Sequence, residues 1–500
     1  MARADSEDDR MQRYEHYIGG RSARPSSGAY LASEDPYSGE AWAEIARGTA
    51  ADVDVAVRAA KSAFNNPLWS GIPASRRAAL LRKVADLIIE EAPRLAQIEQ
   101  RDNGKLAAEV NAQVRYVGDY FHYYAGLADK IEGQVVPNDK PGQFTFIRHE
   151  PKGVVAIITP WNSPLTLTSW KLAPALAAGC TAVIKPSEFT SCAILEFADL
   201  FRRAGFPDGV VNVVTGLGEE VGSALVSHPD VAHIGFTGGE AAGVRVYELA
   251  ARGLKTVTLE LGGKSPNIIF EDADLDRAMN GVFSGIFAAS GQSCQAGSRL
   301  LLQRSIHDEF VARLVEATRE IKLGDPKRAD SQMGPIATRS QFEKILQYIE
   351  IAKAEGARCV AGGRARSDLG AGQFIEPTIF TQVNMSMRIA REEVFGPVLC
   401  VIPFDDEADA IRIGNDVAYG LAGAVWTRDL RRAMSMTEKL KAGTLWVNNY
   451  RATSFTAPFG GMKRSGIGRE SGSDAIREYL DTKCVWIATD AQVANPFIRR

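Results

Sequence analysis

The sequence has few cysteines and histidines, and neither kind of residue is clustered. Six of each are spread over 500 residues, without a Cys-x-x-Cys or His-x-x-x-His pair. Zinc sites usually need ligands at such short spacings, and disulfide-stapled folds are short and rich in cysteine. We therefore expect no metal site, and we expect the six cysteines to be reduced thiols, as in a cytosolic protein.

Long apolar runs and an excess of one charge are also missing. No run approaches the ~20 apolar residues that cross a bilayer, and the charged N-terminal residues do not form a signal peptide. Lys and Arg number 58 against 61 Asp and Glu, without a basic block that follows a phosphate backbone. These absences argue against a membrane or nucleic-acid partner, and we expect a cytoplasmic protein.

The composition is that of a large globular protein, with 45% hydrophobic and 24% charged residues. At ~150 residues per domain, the length predicts about three domains. After a helical region over 50–133, with a break expected at Pro93, short β-rich runs alternate with helical stretches. These runs begin at Val154, Thr181, Val210, Val231 and Thr256. The alternation predicts a doubly wound parallel sheet, with ligand-binding loops along one edge.

A second β/α series follows in the C-terminal half. Helices are expected over 275–289, 307–322 and 340–355, and strands over 299–303 and 398–404. This series predicts a second α/β domain. In the first domain, the helix after the strand at Thr181 is expected to begin near Ser187, a good N-cap residue. The segment 133–150 is a candidate excursion from the first domain that pairs with residues 481–500.

Three side chains are candidates for chemistry, although each residue type is common in structural roles. Cys294 follows a helix that ends near Gly291, and a cysteine in such a turn can offer its thiol and its backbone N–H to a reacting carbonyl. Asn162 follows the first strand of the sheet, and Glu260 ends another strand, where a carboxylate can act as a general base. The segment 216–222 reads G-x-G-x-x-x-G, which is not the dinucleotide fingerprint.

Taken together, eight motifs resemble those of the aldehyde dehydrogenase superfamily in their order, from about Tyr17 to Asp481. They are TPWNSP (159–164), KPSE (185–188), GFTGG (235–239), LELGGKSPN (259–267), GQSC (291–294), EEVFGPV (392–398), NDVAYGLA (415–422) and PFGGMKRSGIGRE (458–470). The resemblance implies an α/β fold with two doubly wound parallel-sheet domains. These are a Rossmann-like coenzyme-binding domain (1–130 and 152–261) and a catalytic domain (262–470). It also implies a small β excursion for oligomerisation (131–151 and 471–500), in a homotetramer or homodimer.

The resemblance implies a covalent mechanism for aldehyde oxidation. Cys294 would be the nucleophile, and the oxyanion of its adduct would be held by the Asn162 amide and the Cys294 backbone N–H. Glu260 would activate the water that hydrolyses the thioester, and it is also a candidate to take the thiol proton. Lys171 and Glu470 match positions proposed as a proton path, with a structural ion pair as the alternative.

For the coenzyme, the resemblance implies NAD in preference to NADP. Lys185 and Glu188 would bind the adenosine ribose hydroxyls, and the Glu188 carboxylate would repel the 2′-phosphate of NADP. Glu393 and Phe395 would lie at the nicotinamide ribose. The other implied coenzyme contacts are Ile158, Thr159, Trp161, Gly218, Gly222, Phe236, Thr237, Gly238, Gly239, Leu261, Gly262 and Gln341.

The substrate side departs from the family pattern, and the aldehyde is not identified. Ser163 stands where most relatives have phenylalanine, which indicates a wider or more polar mouth. Gly239 stands where many have serine, so one hydroxyl contact to the pyrophosphate is expected to be missing. Arg451 is a candidate ligand for a carboxylate at the far end of the substrate, with a surface arginine at a subunit contact as the alternative. The implied pocket consists of Ser163, Leu167, Trp170, Gln295, Arg451 and Phe455.

Two other functions remain open. A coenzyme-A-acylating dehydrogenase would pass the thioester to a thiol, but such relatives typically lack the glutamate corresponding to Glu260. A non-catalytic binding or structural relative would often have lost a catalytic group, whereas Cys294, Glu260 and Asn162 are all present. The sequence therefore favours NAD-dependent oxidation of a small-molecule aldehyde to the acid.

Overall fold

The N-terminal part of the molecule combines short strands with a layer of helices. The structure is a computed structural model that describes residues 11–490 and 495–498. The helical layer expected over 50–133 is present, whereas the strands before it were not predicted. The elements are β1 Gln12–Tyr14, β2 His16–Ile18, β3 Arg21–Ala23, β4 Tyr30–Glu34, β5 Ala41–Ala46, α1 Ala50–Asn65, α2 Pro67–Ser70, α3 Ala74–Asn103 and α4 Ala107–Leu127.

Helix α3 continues through Pro93, so the break expected at this residue is wrong. A proline inside a helix removes a backbone hydrogen bond and costs ~3 kcal/mol. Pro93 lies on the exposed side of α3, while Leu81, Val84 and Ile88 on the opposite side are fully buried. The helix has 30 residues and packs along α4. We infer that this packing outweighs the local cost of the proline.

Alternating strands and helices follow along the rest of the chain. The first series is β6 Gln134–Val135, β7 Gln143–Pro151, β8 Val154–Ile158, α5 Pro164–Ala178, β9 Thr181–Lys185, α6 Cys192–Ala204, β10 Val211–Val213, α7 Ser223–Ser227, β11 Val231–Thr237, α8 Glu240–Arg252 and β12 Thr256–Glu260. The second is β13 Pro266–Ile269, α9 Leu275–Ile286, β14 Arg299–Gln303, α10 His307–Arg319, α11 Arg339–Ala354, β15 Arg358–Ala361, β16 Thr378–Thr381, α12 Arg388–Arg391, β17 Val398–Phe404, α13 Glu407–Asn415, β18 Tyr419–Gly420, β19 Ala422–Trp426, α14 Leu430–Lys439 and β20 Thr444–Val447. The last strands are β21 Met462–Lys463, β22 Gly466–Ile467 and β23 Leu480–Ala488.

The five strands expected in the first domain form the centre of an eight-stranded sheet. Its order is β22-β12-β11-β8-β9-β10-β2-β3. Neighbours from β12 to β10 are parallel, and the added strands β2, β3 and β22 are antiparallel. All residues of β8 and β9 are buried, as expected for parallel strands covered on both faces. The carboxyl ends of β8, β11 and β12 therefore lie side by side.

The second series forms a seven-stranded sheet in the order β15-β16-β17-β14-β13-β19-β20. Only the edge strand β15 is antiparallel to its neighbour. The strands expected over 299–303 and 398–404 match β14 and β17. The predicted α/β class with parallel sheets is confirmed.

A smaller sheet joins the excursion to the C-terminal segment. Strand β7 pairs antiparallel with β23 along nine residues and with β6 on its other side. The expected pairing of the two segments is therefore present, although residues 491–494 and 499–500 lie outside the described residues. Strand β22 falls within the range 262–470 but pairs with β12 of the first sheet. The exact domain boundaries and the oligomerisation role of the small sheet stay predictions.

Three expected helix boundaries are wrong, and one of them is the end of α10, which lies at Arg319 and not at residue 322. Helix α6 begins at Cys192 and not near Ser187, because Ser187 Oγ accepts the N–H of Phe189 in a local turn at 3.4 Å. Asp102 accepts the N–H of Cys192 at 3.1 Å and so caps the true start. Helix α9 ends at Ile286, before the expected end at residue 289.

Within the described ranges, no helix is both long and apolar enough to cross a membrane.

Candidate active site

A cleft opens where the carboxyl ends of β8, β11 and β12 face the second sheet. Its volume is about 620 Å³, part of it open to solvent. Its lining combines predicted catalytic, coenzyme and substrate-pocket residues with Pro160 and Lys344, which were not predicted. The lining residues are Pro160, Trp161, Asn162, Leu167, Thr237, Gly238, Gly239, Glu260, Leu261, Gly262, Cys294, Gln341, Lys344, Glu393 and Phe395. The structure thus brings Cys294, Asn162 and Glu260 to one cleft.

Cys294 follows a strained turn after α9. Ala289 and Ser290 have φ angles of 53° and 55°, in the left-handed region that non-glycine residues seldom adopt. Glu109 Oε1 accepts the N–H of Ala289 at 2.9 Å, and Ser290 Oγ donates to the carbonyl of Gly334 at 2.8 Å. Partners from other elements therefore hold the turn in place, and local strain of this kind is typical of functional sites.

Gly291 allows this turn to pack against the coenzyme side of the cleft. Its φ is 71°, and a Cβ at this position would lie 2.1 Å from the carbonyl oxygen of Gly396.

The Cys294 thiol is partly open to the cleft but surrounded by protein. This burial, together with the smaller effects of the charges of Glu260 and Glu393, raises the pKa of the thiol to about 12. The thiol is therefore neutral near pH 7, and it needs a base to become a nucleophile.

Asn162 lies beside the Cys294 turn. Its Nδ2 donates to the carbonyl of Gln292 at 3.0 Å, and the Gln292 side chain accepts the N–H of Ala337 at 2.9 Å. An asparagine amide has two N–H donors, so one remains for another acceptor. The arrangement fixes a side-chain donor close to Cys294, as binding of an oxyanion requires.

Glu260 ends β12 and is only 4% exposed. Neither of its carboxylate oxygens hydrogen-bonds to any other described residue. Burial, and after it the charge of Glu470, raises the pKa of Glu260 well above its ordinary value. A buried carboxylate without donors is costly for the structure, and it is typical of a group that exchanges protons in catalysis.

Lys171 and Glu470 form a buried ion pair near Glu260. The Lys171 Nζ lies 2.5 Å from Glu470 Oε1, and the two side chains are 0% and 2% exposed. Lys171 also donates to the hydroxyl of Thr237, which lines the cleft. The Lys171 charge lowers the pKa of Glu260, against the effects of burial and of Glu470. Both alternatives for the pair, a proton path and a structural ion pair, are compatible with these contacts.

The residues predicted for the adenosine half of the coenzyme lie along the same sheet edge, mostly outside the cleft itself. Lys185 Nζ lies 3.1 Å from Glu188 Oε2 at the end of β9. Gly218–Gly222 forms a π-helical turn, and Gly239 precedes α8 without a side-chain cap. A Cβ at Gly239 would meet open space. Uncapped N–H groups at a helix start that faces open space suit a phosphate group.

Glu393 and Phe395, which were predicted to lie at the nicotinamide ribose, line the cleft together with Trp161 and Gln341. Glu393 Oε1 accepts the N–H of Gly263 at 2.9 Å. Phe395 has a φ of 59° and packs edge-on against Trp161, with ring centroids 5.4 Å apart. Gln341 Nε2 donates to the carbonyl of Phe395 at 2.9 Å, which holds this segment. The remaining predicted contacts lie at or just after the ends of β8, β11 and β12: Ile158, Thr159, Phe236, Thr237, Gly238, Leu261 and Gly262.

An aromatic wall belongs to, or packs against, the hydrophobic cluster that Cys294 also contacts. It consists of Tyr116, Tyr120, Trp170, Phe455 and Phe459, joined by ring contacts of 5.2 to 5.9 Å. Cys294 packs against the same hydrophobic cluster. Trp170 and Phe455 were predicted, but Tyr116, Tyr120 and Phe459 were missed. The spacing of four residues between the tyrosines on α4 could have indicated a shared helix face.

The other predicted substrate residues take different positions. Leu167 lines the cleft, whereas Ser163, Gln295 and Arg451 do not. Arg451 has a φ of 66°, and its Nη1 donates to the carbonyl of Ser284 at 3.2 Å. Its charge lowers the pKa of Cys294, a smaller effect than those of burial, Glu260 and Glu393. No cluster of His, Cys, Asp and Glu that suits a metal ion occurs in the part of the chain that the structure describes.

Comparisons with known proteins identify the family. Residues 23–485 match the model of the aldehyde dehydrogenase family. The chain is 47% identical to (Z)-2-((N-methylformamido)methylene)-5-hydroxybutyrolactone dehydrogenase of Acinetobacter baylyi, over 98% of this chain and 100% of the relative. It is 44% identical to aminoaldehyde dehydrogenase 2 of Solanum lycopersicum, over 94% of both chains.

Solved structures show the same fold. A betaine aldehyde dehydrogenase of Staphylococcus aureus in complex with NAD+ superposes with a TM-score of 0.95 at 42% identity, covering 97% of each chain. An NAD+ complex of an aldehyde dehydrogenase of Bacillus cereus gives a TM-score of 0.93 at 43% identity, covering 95% of this chain and 97% of that one. The enzyme class predicted from the sequence, an NAD(P)-dependent aldehyde dehydrogenase, is confirmed, and the chain belongs to the aldehyde dehydrogenase family.

Proposed function

We propose that this aldehyde dehydrogenase oxidises a small aldehyde to the carboxylic acid with NAD, through a thioester on Cys294 that water hydrolyses. The observation that carries this proposal is the meeting of Cys294, Asn162 and Glu260 in one cleft. These side chains supply a nucleophile, an oxyanion donor and a base. The alternative functions are disfavoured because all three groups are present, and because Asn162 and the turn before Cys294 are held by partners from other elements.

The described residues fit an NAD molecule. The uncapped start of α8 at Gly239 suits the pyrophosphate, and Glu393 and Phe395 lie where a nicotinamide riboside would enter the cleft. The Glu188 carboxylate, paired with Lys185, can accept hydrogen bonds from ribose hydroxyls and would repel a 2′-phosphate. When bound, NAD supplies the hydride acceptor that the oxidation needs. The coenzyme is therefore NAD, with NADP disfavoured.

The residues of the chain handle the carbonyl and its protons. The Cys294 sulfur attacks the aldehyde carbon, and the thiol proton passes to Glu260. Because the pKa of Glu260 is raised, it lies closer to the raised pKa of the thiol, and this favours the transfer. Asn162 Nδ2 and the Cys294 N–H hold the oxyanion of the adduct. In the second half of the reaction, Glu260 takes a proton from the water that attacks the Cys294 thioester, and the sulfur leaves as a thiolate.

The Lys171–Glu470 pair is proposed to relay protons between Glu260 and the protein surface. Two carboxylates close together share protons, because both cannot ionise cheaply in a buried site. The influence of Glu470 on the pKa of Glu260 supports this role.

We also propose a cytoplasmic homotetramer or homodimer, assembled through the small sheet. Strand β23 exposes Trp486 and Ile487, and β6 and β7 expose Val135 and Phe144. Exposed apolar side chains on neighbouring strands are typical of a subunit contact. The segments involved match those predicted for oligomerisation.

The reaction is tested by following NADH absorbance with a panel of aldehydes, with and without coenzyme A. We expect NADH formation at the same rate in both arms, with free acid as the product. Turnover that requires coenzyme A and yields an acyl thioester would contradict hydrolysis. Absence of NADH with every aldehyde, from protein that binds NAD, would favour the non-catalytic alternative.

A further inference from the structure

A buried serine holds the chain directly after Glu260, the proposed base. Ser465 lies between β21 and β22 and is 0% exposed. Its Oγ donates to the carbonyl of Gly262 at 2.7 Å, and its own carbonyl accepts the N–H of Leu261 at 2.8 Å. Ser465 therefore binds the two residues that follow Glu260 with both its side chain and its backbone.

The same hydroxyl also bonds to the other side of the cleft. Ser465 Oγ accepts the N–H of Gly420 in β18 at 2.9 Å, and β18 leads directly into β19 of the seven-stranded sheet. A hydroxyl has one proton and two lone pairs, so it can donate to Gly262 and accept from Gly420 at the same time. Ser465 is therefore an oriented link between the end of β12 in one large sheet and the start of β19 in the other.

The loop that contains Ser465 lies against Glu260 itself. Strand β22 pairs with β12 so that Gly466 is opposite Glu260. A Cβ at Gly460, at the beginning of the loop, would lie 2.7 Å from Glu260 Oε1. Because neither carboxylate oxygen accepts a hydrogen bond from the described residues, the position of the carboxylate depends on this packing and on the backbone that carries it. Ser465 holds that backbone.

The segment that Ser465 holds continues to the nucleophile. A Cβ at Gly263, the residue after Gly262, would lie 2.5 Å from the carbonyl oxygen of Cys294. The two backbones are therefore in close contact. Two glycines in succession have little stiffness of their own, because glycine populates many backbone conformations. The placement of this segment against Cys294 therefore depends on its hydrogen bonds, including the one from Ser465.

We propose that Ser465 is a positioning residue for the general base, and that it fixes Glu260 at its working distance from Cys294. The proposal rests on the proposed function, since Ser465 acts through the base of that reaction. A base must lie within hydrogen-bond reach of its proton, and a misplacement of ~1 Å can cost about 10²-fold in rate. Without the hydroxyl, the Gly262 carbonyl and the Gly420 N–H each lose a partner, and the segment after Glu260 is free to shift.

The test is a double-mutant cycle with saturating butanal and NAD, in which kcat is measured for the wild type, Ser465→Ala, Glu260→Gln and the double variant. Ser465→Ala should lower kcat about tenfold in the wild-type background. In the Glu260→Gln background the same change should alter kcat by less than about twofold, because the base that Ser465 positions is already absent.

Ser33→Ala is the matched control for the loss of a buried hydroxyl. Ser33 is 1% exposed, its Oγ donates to Asp102 Oδ1 at 2.8 Å, and it does not line the cleft. This variant should lower the melting temperature and leave kcat unchanged, since no segment next to Glu260 or Cys294 depends on the hydroxyl.

The outcomes separate a positioning role from structural support. An equal loss of kcat in both backgrounds, or no loss in either, would overturn the proposal. If Ser465→Ala does not fold, as its thermal transition would show, Ser465→Cys is taken through the same cycle. Its thiol is a weaker donor and acceptor, so a smaller loss confined to the wild-type background is expected.

Failure of this proposal and failure of the proposed function give different results. A slow Glu260→Gln together with a Ser465→Ala variant of wild-type activity would overturn the positioning role alone. A Glu260→Gln variant that turns over at the wild-type rate would overturn the proposed base, and the role of Ser465 with it.

Discussion

Replacement of Glu260 by glutamine separates the two halves of the proposed reaction. Glutamine has the same shape, and the wild-type carboxylate makes no hydrogen bond to the described residues that the change would break. An amide cannot take a proton from water, so hydrolysis of the thioester should slow by about 10²- to 10⁴-fold, the usual contribution of a general base. Oxidation up to the thioester should continue more slowly, with water taking the thiol proton that Glu260 takes in the wild type, and loss of this oxidation as well would show that Glu260 is required to activate the thiol.

The effect of this replacement on stability follows from the raised pKa of Glu260. The unfolded chain releases this proton near pH ~4.3, whereas the folded chain holds it to a higher pH. Between the two pKa values the unfolded state binds fewer protons, so this group destabilises the fold increasingly as pH rises. Glu260→Gln should therefore match or exceed the wild-type melting temperature at pH 8, and the difference should shrink towards pH 5. This readout excludes misfolding as the cause of lost activity.

The assay is stopped-flow NADH absorbance with saturating aldehyde and NAD. We expect a burst of about one NADH per active site, followed by slow turnover. In the wild type, kcat should rise with pH as Glu260 loses its proton, and the variant should lose this dependence. Glu478→Gln is the matched control, because burial also raises the pKa of Glu478 but this residue does not line the cleft. Steady turnover of Glu260→Gln within about threefold of wild type would refute the assignment of Glu260 as the base.

Three further changes test other parts of the site. Glu188→Ser should narrow the preference for NAD over NADP in kcat/KM by removing the charge that repels a 2′-phosphate, and equal use of both coenzymes by the wild type would contradict this assignment. Arg451→Ala should raise KM for carboxylate-bearing aldehydes by about tenfold and leave neutral ones nearly unchanged, and an equal change for both would make Arg451 a structural residue. Gly291→Ala should lower both the melting temperature and kcat, since its Cβ would lie 2.1 Å from the Gly396 carbonyl at a positive φ. Wild-type values would show that the turn tolerates a side chain.

Much of the fold could be predicted from local patterns in the sequence, and the predictions that were wrong or missing have physical causes. The buried strands β8, β9 and β14 were predicted because their apolar runs and flanking turns are strong features of the sequence. The three-residue strands β1, β2 and β3 are too short for such a pattern, and β1 and β2 depend on pairing with the more distant strands β5 and β10, while β3 pairs with β2. Pro93 was misjudged because tertiary packing outweighed a local rule.

The site was predicted less from single residues than from their joint resemblance to a family. Glu260 and Asn162 are common residue types that do not stand out in the sequence. The structure shows that Glu260 accepts no hydrogen bond from the described residues and that Asn162 is held beside Cys294. The hydrogen bond between Ser465 and Gly262 joins residues 203 positions apart, and no spacing rule predicts it. Lys344, which lines the cleft from α11, was missed for the same reason.

The most direct test of the account is detection of the acyl group on Cys294. Glu260→Gln is mixed with butanal and NAD, quenched in acid and examined by intact-protein and peptide mass spectrometry. The account predicts a gain of one butanoyl group on the peptide that contains Cys294, and no gain in a Cys294→Ala, Glu260→Gln double variant that still binds NAD. NADH formation without an adduct, or an adduct on another cysteine, would contradict it.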